Sequence, residues 1–437
     1  MSSSSSQLYN HLLNDDDDTS SDEYEEEMAV TSAMSFVVRG LFEETENTTN
    51  PIRKRVSLER DRAKANENLM KDYFVESPTY PDPNTFRRRF RMSKRLFLRI
   101  VNDLESDDSY FKQKRDARGL LGFTGIQKCT SALRVLAYGN TTDINDEYLK
   151  MSEKTTRDTL EHFTKGIIKI YGQRYLRKPT WNDLQRIYEV HQEVQGLPGM
   201  IGSIDCMHWE WFNCPTAWRG QHTRGDQGVP TLMLQAVASY DLWIWHAHFG
   251  TAGSNNDLNV LEESSIIEDV VSGGAPIACF YANGNYHPHG YYLGDGIYPE
   301  YPIFAVTYRD PIDEKRAYFK KVQESSRKDI ERCFGVLQQR WHIIQHPCRL
   351  WTKDKIRDVM YACIILHNMI LEDDGNAICQ NYIPDQVEEE ITQATFEERV
   401  ANDAYLRNKH EHYALMADLI EHAWSVRTIP DNDDDAS

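Results

Sequence analysis

The stretch Met200-Ile-Gly-Ser-Ile-Asp205 is a short apolar run that ends in a carboxylate and follows a glycine. Apolar runs of this length, bounded by glycine and polar residues, are typical of buried strands. Residues 232–239 and 244–249 are similar runs, and alternation in the second of them gives that strand two different faces. We therefore predict three strands at these positions.

Two further strands and a long helix are predicted downstream. Asn283-Gly284 is a strong signal for a two-residue hairpin turn, and the strand after it continues to Asp295. Residues 303–307 predict a fifth strand, and residues 313–344 carry apolar residues at helical spacing. Strands followed by long helices predict an α/β or α+β domain with a mixed sheet.

The chain before residue 180 is predicted to be helical and partly basic. Residues 143–150 and the helix capped by Ser152 resemble a helix-turn-helix, whose second helix presents its N-terminal residues to the major groove. The candidate DNA-binding residues are Lys154, Thr155, Thr156 and Arg157 in this helix, the basic group Arg87, Arg88, Arg89 and Arg91, and Arg327 and Lys328 farther on. A plain helical hairpin with solvated basic ends is the alternative for the first two groups.

The net charge of -19 is unevenly distributed along the 437 residues. Residues 1–27 contain nine acidic and no basic side chains, and residues 430–437 contain four more acids, so the two ends account for -13 and leave about -6. Such runs are typical of solvated tails. The whole-chain charge therefore does not exclude binding to nucleic acid.

The sequence also excludes some classes of protein. No apolar run approaches the roughly 20 residues that a membrane-spanning helix needs. The N-terminus lacks the basic start and apolar core of a secretory signal. We therefore expect an intracellular protein with no membrane partner.

Three acids stand beside predicted buried elements. Asp205 and Asp295 end predicted strands, and Glu331 lies next to the apolar stripe of the long helix. Carboxylates in such places need a partner or a metal, and Mg²⁺ prefers oxygen ligands of this kind. Taken singly, each acid has a plainer role: Asp205 and Asp295 as turn residues, and Glu331 as the ion-pair partner of Arg327, four residues earlier.

Several motifs in order resemble the PIF/Harbinger transposases of plants, the Ping/Pong-like branch in particular. The resemblance covers roughly residues 50–375. Its motifs are Phe86-Arg-Arg-Arg-Phe-Arg-Met92, Gln127-Lys-Cys-Thr130, Gly199-Met-Ile-Gly-Ser-Ile-Asp205 with its continuation to Pro215, residues 236–246, Gly253-Ser-Asn-Asn-Asp257, Gly290-Tyr-Tyr-Leu-Gly-Asp295, Arg327-Lys-Asp-Ile-Glu331 and Ala362-Cys-Ile-Ile-Leu-His-Asn-Met369.

The resemblance implies an RNase H-like nuclease fold whose DDE triad falls on Asp205, Asp295 and Glu331. It also implies Mg²⁺-dependent chemistry, with Mn²⁺ as a substitute, on terminal inverted repeats and TA-rich target DNA. A Myb-like DNA-binding protein is the partner that such transposases are expected to need. We further expect a homo-oligomer that works in the nucleus.

Two alternatives concern residues near the predicted triad. Asp257 belongs to a family motif, but it opens a helix, where an acid commonly caps or meets the helix dipole. We therefore expect it and His208 to be accessory at most. A zinc site of Cys206, His208, Cys214 and His222 is disfavoured because the spacing matches no common structural site.

The predicted organisation has four parts: an acidic tail over residues 1–50, a helical DNA-binding region over 51–180, a nuclease domain over 196–375, and a helical segment with an acidic tail over 376–437. The predicted function is a DNA transposase or endonuclease. One rival is a domesticated DNA- or chromatin-binding protein that does not cleave. The other is a metal-dependent hydrolase of small phosphoesters, which the basic helical half disfavours.

Overall fold

A computed structural model describes residues 58–225, 228–276, 279–307, 309–384 and 394–427. The predicted acidic tail over residues 1–50, the basic group at residues 53–55 and the acids at 431–435 lie outside the described residues. No helix in the described part of the chain is both long and apolar enough to cross a membrane.

The described residues before the sheet form seven α-helices. Their bounds are α1 Arg62–Tyr73, α2 Pro83–Phe90, α3 Lys94–Asp107, α4 Gly125–Tyr138, α5 Asn145–Leu149, α6 Glu153–Tyr175 and α7 Trp181–Gln195, with a short 3-10 turn at Thr142–Ile144. Local signals explain several ends, since Ser93 and Ser152 accept hydrogen bonds from the first turns of α3 and α6. Gly139 ends α4 with a φ of 62°.

Five strands form one mixed sheet in the order β3-β2-β1-β6-β7. Their bounds are β1 Met200–Glu210, β2 Thr231–Ala238, β3 Ile244–Ala252, β6 Tyr291–Gly294 and β7 Phe304–Val306. The β1–β2 and β2–β3 pairs are antiparallel, whereas β1–β6 and β6–β7 are parallel. The chain is therefore an α/β protein, and this strand order is consistent with an RNase H-like fold.

Two sequence predictions about the strands are corrected. Asp205 does not end β1, because the strand runs on to Glu210 and pairs with β2 along that length. The hairpin around Asn283-Gly284 is separate from β6, since β4 Phe280–Ala282 and β5 Asn285–His287 pair only with each other. The turn itself is as predicted, with positive φ at both Asn283 and Gly284.

The remaining helices follow β1 along the chain. They are α8 Thr216–His222, α9 Asp257–Glu263, α10 Ser265–Val271, α11 Glu314–Arg340, α12 His342–Gln345, α13 Lys353–Asp373, α14 Phe396–Leu406 and α15 Lys409–Ser425. The long predicted helix is α11, and Asp313 caps it by accepting a hydrogen bond from the Arg316 N–H at 2.8 Å.

Helix α13 joins the N-terminal helices to the sheet. The buried amide of Asn368 donates to the carbonyl of Tyr175 at the end of α6 and to that of Ile244 in β3, at 2.7 and 2.8 Å. One hydrophobic cluster continues through both parts, from Phe97 and Phe163 to Trp245. The sheet and the helical region therefore share a core.

Candidate active site

The pairing of β1 with β6 brings two of the predicted acids side by side. Ser203 stands opposite Leu293 in this parallel pair. Asp205 and Asp295 each come two residues after this pair, so the parallel register brings them to neighbouring positions at the end of β6. Because β6 ends at Gly294, Asp295 is the first residue beyond the strand, where its carboxylate accepts a hydrogen bond from the Ile297 N–H at 3.0 Å.

The Asp205 carboxylate lies in a partly buried and negatively charged place. Its Oδ1 accepts a hydrogen bond from the Cys206 N–H at 2.8 Å, and its side chain is 22% exposed. Burial is the largest influence and raises the pKa of Asp205 to about 6; the Cys206 N–H and Arg327 oppose the rise, and the carboxylates of Asp257 and Asp295 add to it. Because burial and neighbouring charges disfavour the ionised form of Asp205, a nearby cation would stabilise it.

The third acid is connected to the first through Arg327. In α11, the Arg327 guanidinium lies 3.4 Å from Asp205 Oδ2 and 3.3 Å from Glu331 Oε1. The predicted ion pair of Arg327 with Glu331 is therefore present, and it includes Asp205 as well. Glu331 stays half exposed, whereas Arg327 is largely buried between the two acids.

The three acids are not gathered around one point. Among the described residues, no group of three or more acidic, histidine or cysteine side chains is close enough to hold a single metal ion. For Asp205 and Glu331 the reason is the Arg327 guanidinium, which lies between them. The four residues of the zinc alternative, Cys206, His208, Cys214 and His222, do not form such a group either. His208 and His222 both hydrogen-bond to Thr231.

Asp257 lies nearer to Asp205 and Asp295 than its place at the start of α9 suggests. Burial raises the pKa of Asp257, the Cys206 thiol lowers it by hydrogen bonding, and the Asp295 carboxylate raises it. The Asp257 charge in turn raises the pKa of Asp205. Asp257 thus shares the electrostatic environment of the two strand acids, and His208 lies close enough to influence it.

Gln323 is a site residue that sequence reasoning missed. It is fully buried in α11, where its amide donates to the carbonyls of Gly294 at 2.8 Å and Ala305 at 3.1 Å. These carbonyls belong to the last residue of β6 and the middle residue of β7, so Gln323 fixes α11 against the strand that leads into Asp295. The sequence signal was a glutamine inside an apolar stripe, one turn before Arg327.

A second contact ties α11 to β1. The Ser203 hydroxyl donates to the carbonyl of Ser326 at 3.2 Å. Ser203 is two residues before Asp205 and so lies on the same face of the strand. Together, Gln323 and Ser203 hold the helix that carries Arg327 and Glu331 against the strands that carry the aspartates.

The predicted DNA-binding arginines of α2 are mostly engaged within the protein. Three of the four have internal partners: Arg87 pairs with Asp374, Arg89 donates to the Tyr73 hydroxyl, and Arg91 donates to the carbonyl of Ala137. Arg88 is exposed. This group therefore supports the packing of α2 and leaves one arginine on the surface.

The N-terminal turn of α6 has both exposed and buried residues. Lys154 and Arg157 are exposed, and Arg157 lies 3.5 Å from Glu153. Thr155 is half-buried and hydrogen-bonds to Ser152. Thr156 is fully buried. A DNA-contacting surface here is therefore built without Thr156.

The mixed α/β sheet is consistent with the RNase H-like fold of transposases, and comparison with known proteins supports a transposase-derived class. The family described as plant transposon protein matches residues 173–378. This match confirms the resemblance to PIF/Harbinger transposases. A domain family of unknown function matches residues 66–105.

Two curated relatives come from Arabidopsis thaliana. A protein named ALP1-like is 23% identical over 302 residues, covering 67% of this chain and 71% of the relative. The protein named antagonist of like heterochromatin protein 1 is 22% identical over 333 residues, covering 71% of this chain and 78% of the relative. No solved structure gives a significant match.

Proposed function

We propose that the chain is a DNA endonuclease of the transposase type, which cuts the terminal inverted repeats of its element and joins the 3′ ends to TA-rich target DNA. The observation that supports this proposal is the parallel pairing of β1 with β6, in which Ser203 pairs with Leu293 two residues before Asp205 and Asp295, together with Arg327, which contacts both Asp205 and Glu331. Membership of the plant transposon protein family supports it.

The carboxylates at the site are of the chemical type that a hard divalent cation takes, although in the described arrangement they do not surround one point. Asp205, Asp295 and Glu331 offer carboxylate oxygens, the ligands that Mg²⁺ prefers. Neighbouring carboxylates already raise the pKa of Asp205, so added positive charge stabilises its ionised form. When bound, Mg²⁺ or Mn²⁺ activates the attacking oxygen and stabilises the leaving oxygen of a phosphodiester. Arg327 is the positive charge that Asp205 and Glu331 share in the structure.

The proposed reaction has two steps at the same phosphate-binding place. In the first, the oxygen of a water molecule attacks a phosphorus atom at the element end; the P–O3′ bond breaks, and the strand keeps a free 3′-hydroxyl. In the second, this hydroxyl oxygen attacks a phosphorus atom of target DNA, and the displaced O3′ leaves with a proton. Asp205 and Asp295 approach the phosphate from the sheet, and Glu331 approaches it from α11.

DNA recognition is assigned to surfaces outside this site. Lys154 and Arg157 on α6, with Arg88 on α2, are exposed cations in the helical region. A Myb-like partner, a homo-oligomeric assembly and a nuclear location belong to the same proposal, because transposition brings two element ends and chromosomal DNA together.

The alternative function is DNA or chromatin binding without cleavage. It is favoured by one observation, the name of the relative that is called an antagonist of like heterochromatin protein 1. The presence of Asp205, Asp295 and Glu331 opposes it, since a binding protein has no need of three acids at these positions.

A strand-nicking assay separates the two functions. Full-length protein is incubated with a duplex that carries the element ends, in Mg²⁺ and in EDTA, and strand breaks and bound duplex are measured in the same samples. Metal-dependent nicks at the repeat ends are expected. Bound but intact duplex in Mg²⁺ and in Mn²⁺ would favour the chromatin-binding alternative.

A further inference from the structure

An open cleft of about 860 Å³ borders Asp295, between the ends of β6 and β7 and the first half of α11. Its charged lining consists of four cations, Arg309, Lys320, Arg327 and Lys328, and two acids, Asp295 and Glu324. The cleft thus carries an excess of two positive charges in a chain whose net charge is -19. We call it the basic cleft.

Two of its four cations are already compensated. The Lys320 amine donates to the carbonyl of Arg309 at 2.9 Å and lies 3.9 Å from Glu324. Arg327 is shared by Asp205 and Glu331. Neither therefore has its full charge available to a ligand in this arrangement.

Arg309 and Lys328 are different. Both side chains are exposed, and within the described part of the chain neither forms an ion pair or a side-chain hydrogen bond. Lys328 is three residues before Glu331 and so lies within one helical turn of it. Free cations that face a concave surface attract anions, because the low-dielectric walls concentrate the field.

We propose that the basic cleft binds the phosphodiester backbone of the DNA strand that passes the candidate acids, with Arg309 and Lys328 contacting phosphates next to the one that is cut. This inference rests on the proposed function and adds a substrate-binding site to it. Arg309 supplies a flat donor group that can grip a phosphate with two hydrogen bonds, and Lys328 supplies a point charge. The site is independent of base sequence, since it meets only the backbone.

The test measures binding without cleavage. Full-length protein in EDTA is titrated with a fluorescent duplex of arbitrary sequence over a range of salt concentrations. The variants are R309Q, K328Q and the double variant R309Q/K328Q. Lys321 provides a matched control because it is an exposed lysine on the same helix, seven residues earlier, and does not line the cleft.

Each single cleft variant should weaken binding and reduce the slope of log affinity against log salt by about 1, and the double variant by about 2, because one counterion release is lost with each phosphate contact. K321Q should keep the wild-type affinity and slope. Since Arg309 and Lys328 form no ion pair or side-chain hydrogen bond with the residues that the structure describes, the melting temperatures should match that of wild type.

The outcomes separate this inference from the proposed function. Wild-type affinity and slope in R309Q/K328Q would overturn the cleft proposal alone, and so would an equal loss in K321Q, which would indicate a diffuse charge effect. Selective loss in the cleft variants would support the cleft even if the wild-type protein makes no nick in Mg²⁺. A wild-type protein that binds no duplex in EDTA would overturn both.

Discussion

At the residue scale, Arg327 decides how the candidate acids are arranged. Its guanidinium compensates Asp205 and Glu331 at once, at 3.4 and 3.3 Å. The Arg327–Asp205 ion pair is partly buried, so its charge interaction is screened less than that of a surface ion pair. Arg327 is therefore the counter-ion of Asp205 and Glu331, and we expect its removal to change the pKa of Asp205.

Substitution of Arg327 by glutamine should raise the pKa of Asp205 above its value of about 6. The sign follows from the charges: Arg327 favours the ionised carboxylate, while burial and the charges of Asp257 and Asp295 disfavour it. The carboxyl carbon resonance of Asp205, followed against pH in EDTA, measures this shift. R309Q serves as the control, and a lower or unchanged pKa in R327Q would contradict the role given to Arg327.

At the element scale, two contacts set the position of α11. Gln323 donates to carbonyls of β6 and β7, and the carbonyl of Ser326 accepts a hydrogen bond from Ser203 in β1. These contacts join one helix to three strands. The element that carries Arg327 and Glu331 is therefore held by polar groups in an otherwise apolar interface.

Replacing Gln323 with leucine should lower the free energy of unfolding by about 2–4 kcal/mol, because the carbonyls of Gly294 and Ala305 lose a buried donor. It should also reduce nicking more than binding, since the tie between α11 and the strand leading into Asp295 is lost. Urea unfolding and the nicking assay measure the two effects. Gln339, which is exposed on the same helix, is the control. Equal stability of Q323L and Q339L would contradict the stabilising role given to the hydrogen bonds of Gln323.

The first turn of α6 carries Lys154 and Arg157, two of the cations to which DNA binding is assigned. Changing Lys154 and Arg157 to glutamate should weaken binding to element ends and flatten its salt dependence, because fewer counterions are released. Both side chains are exposed, so the fold should be unaffected. Equal affinity and an equal salt slope in the double variant would indicate that α6 belongs to a plain helical hairpin whose basic residues do not bind DNA.

At the scale of the whole molecule, buried histidines make the fold sensitive to acid. His191 in α7 is fully buried: its Nδ1–H donates to the Met200 carbonyl at 2.7 Å, and its Nε2 accepts from the Tyr240 N–H at 3.0 Å. Both ring nitrogens are thus used by the neutral form. Burial lowers the pKa of His191 to about 4, against a smaller opposing effect of the Met200 carbonyl.

The unfolded chain therefore binds a proton at His191 more readily than the folded protein does. Its contribution to stability is present above pH 6.5 and is lost as the pH falls towards 4, amounting to about 3 kcal/mol. H191Q should show a smaller fall in unfolding free energy across this range, since glutamine does not titrate. The exposed His410 is the control, and identical pH slopes in H191Q and wild type would refute the assignment.

Local signals in the sequence predicted much of the fold, and long-range contacts explain the rest. The caps at Ser93 and Ser152 and the Asn283-Gly284 turn depend on residues a few positions apart, so they could be predicted. The extension of β1 beyond Asp205 could not, because its half-buried residues are stabilised by pairing with β2. The two hydrogen bonds of the Gln323 amide could not be predicted either, because they join it to the carbonyls of Ala305 and Gly294, 18 and 29 residues away.

The candidate acids show the same division. The choice of Asp205 and Asp295 came from apolar runs that end in an acid, and the parallel register of β1 and β6 supplies the reason that they are neighbours. The position of Arg327 between Asp205 and Glu331 depends on packing of α11 across β1, which no local pattern encodes.

Whether Asp205, Asp295 and Glu331 cut DNA is tested by measuring nicking by single variants in Mg²⁺ on a duplex with the element ends. D205N, D295N and E331Q should each lose cleavage while binding the duplex in EDTA at least as tightly as wild type does, because each removes a negative ligand charge and leaves the cations Arg309 and Lys328 in place. D257N should retain measurable nicking, since we place Asp257 beside the triad and not within it. Full nicking by D205N, D295N or E331Q, or loss in D257N with activity kept in D295N, would contradict the account.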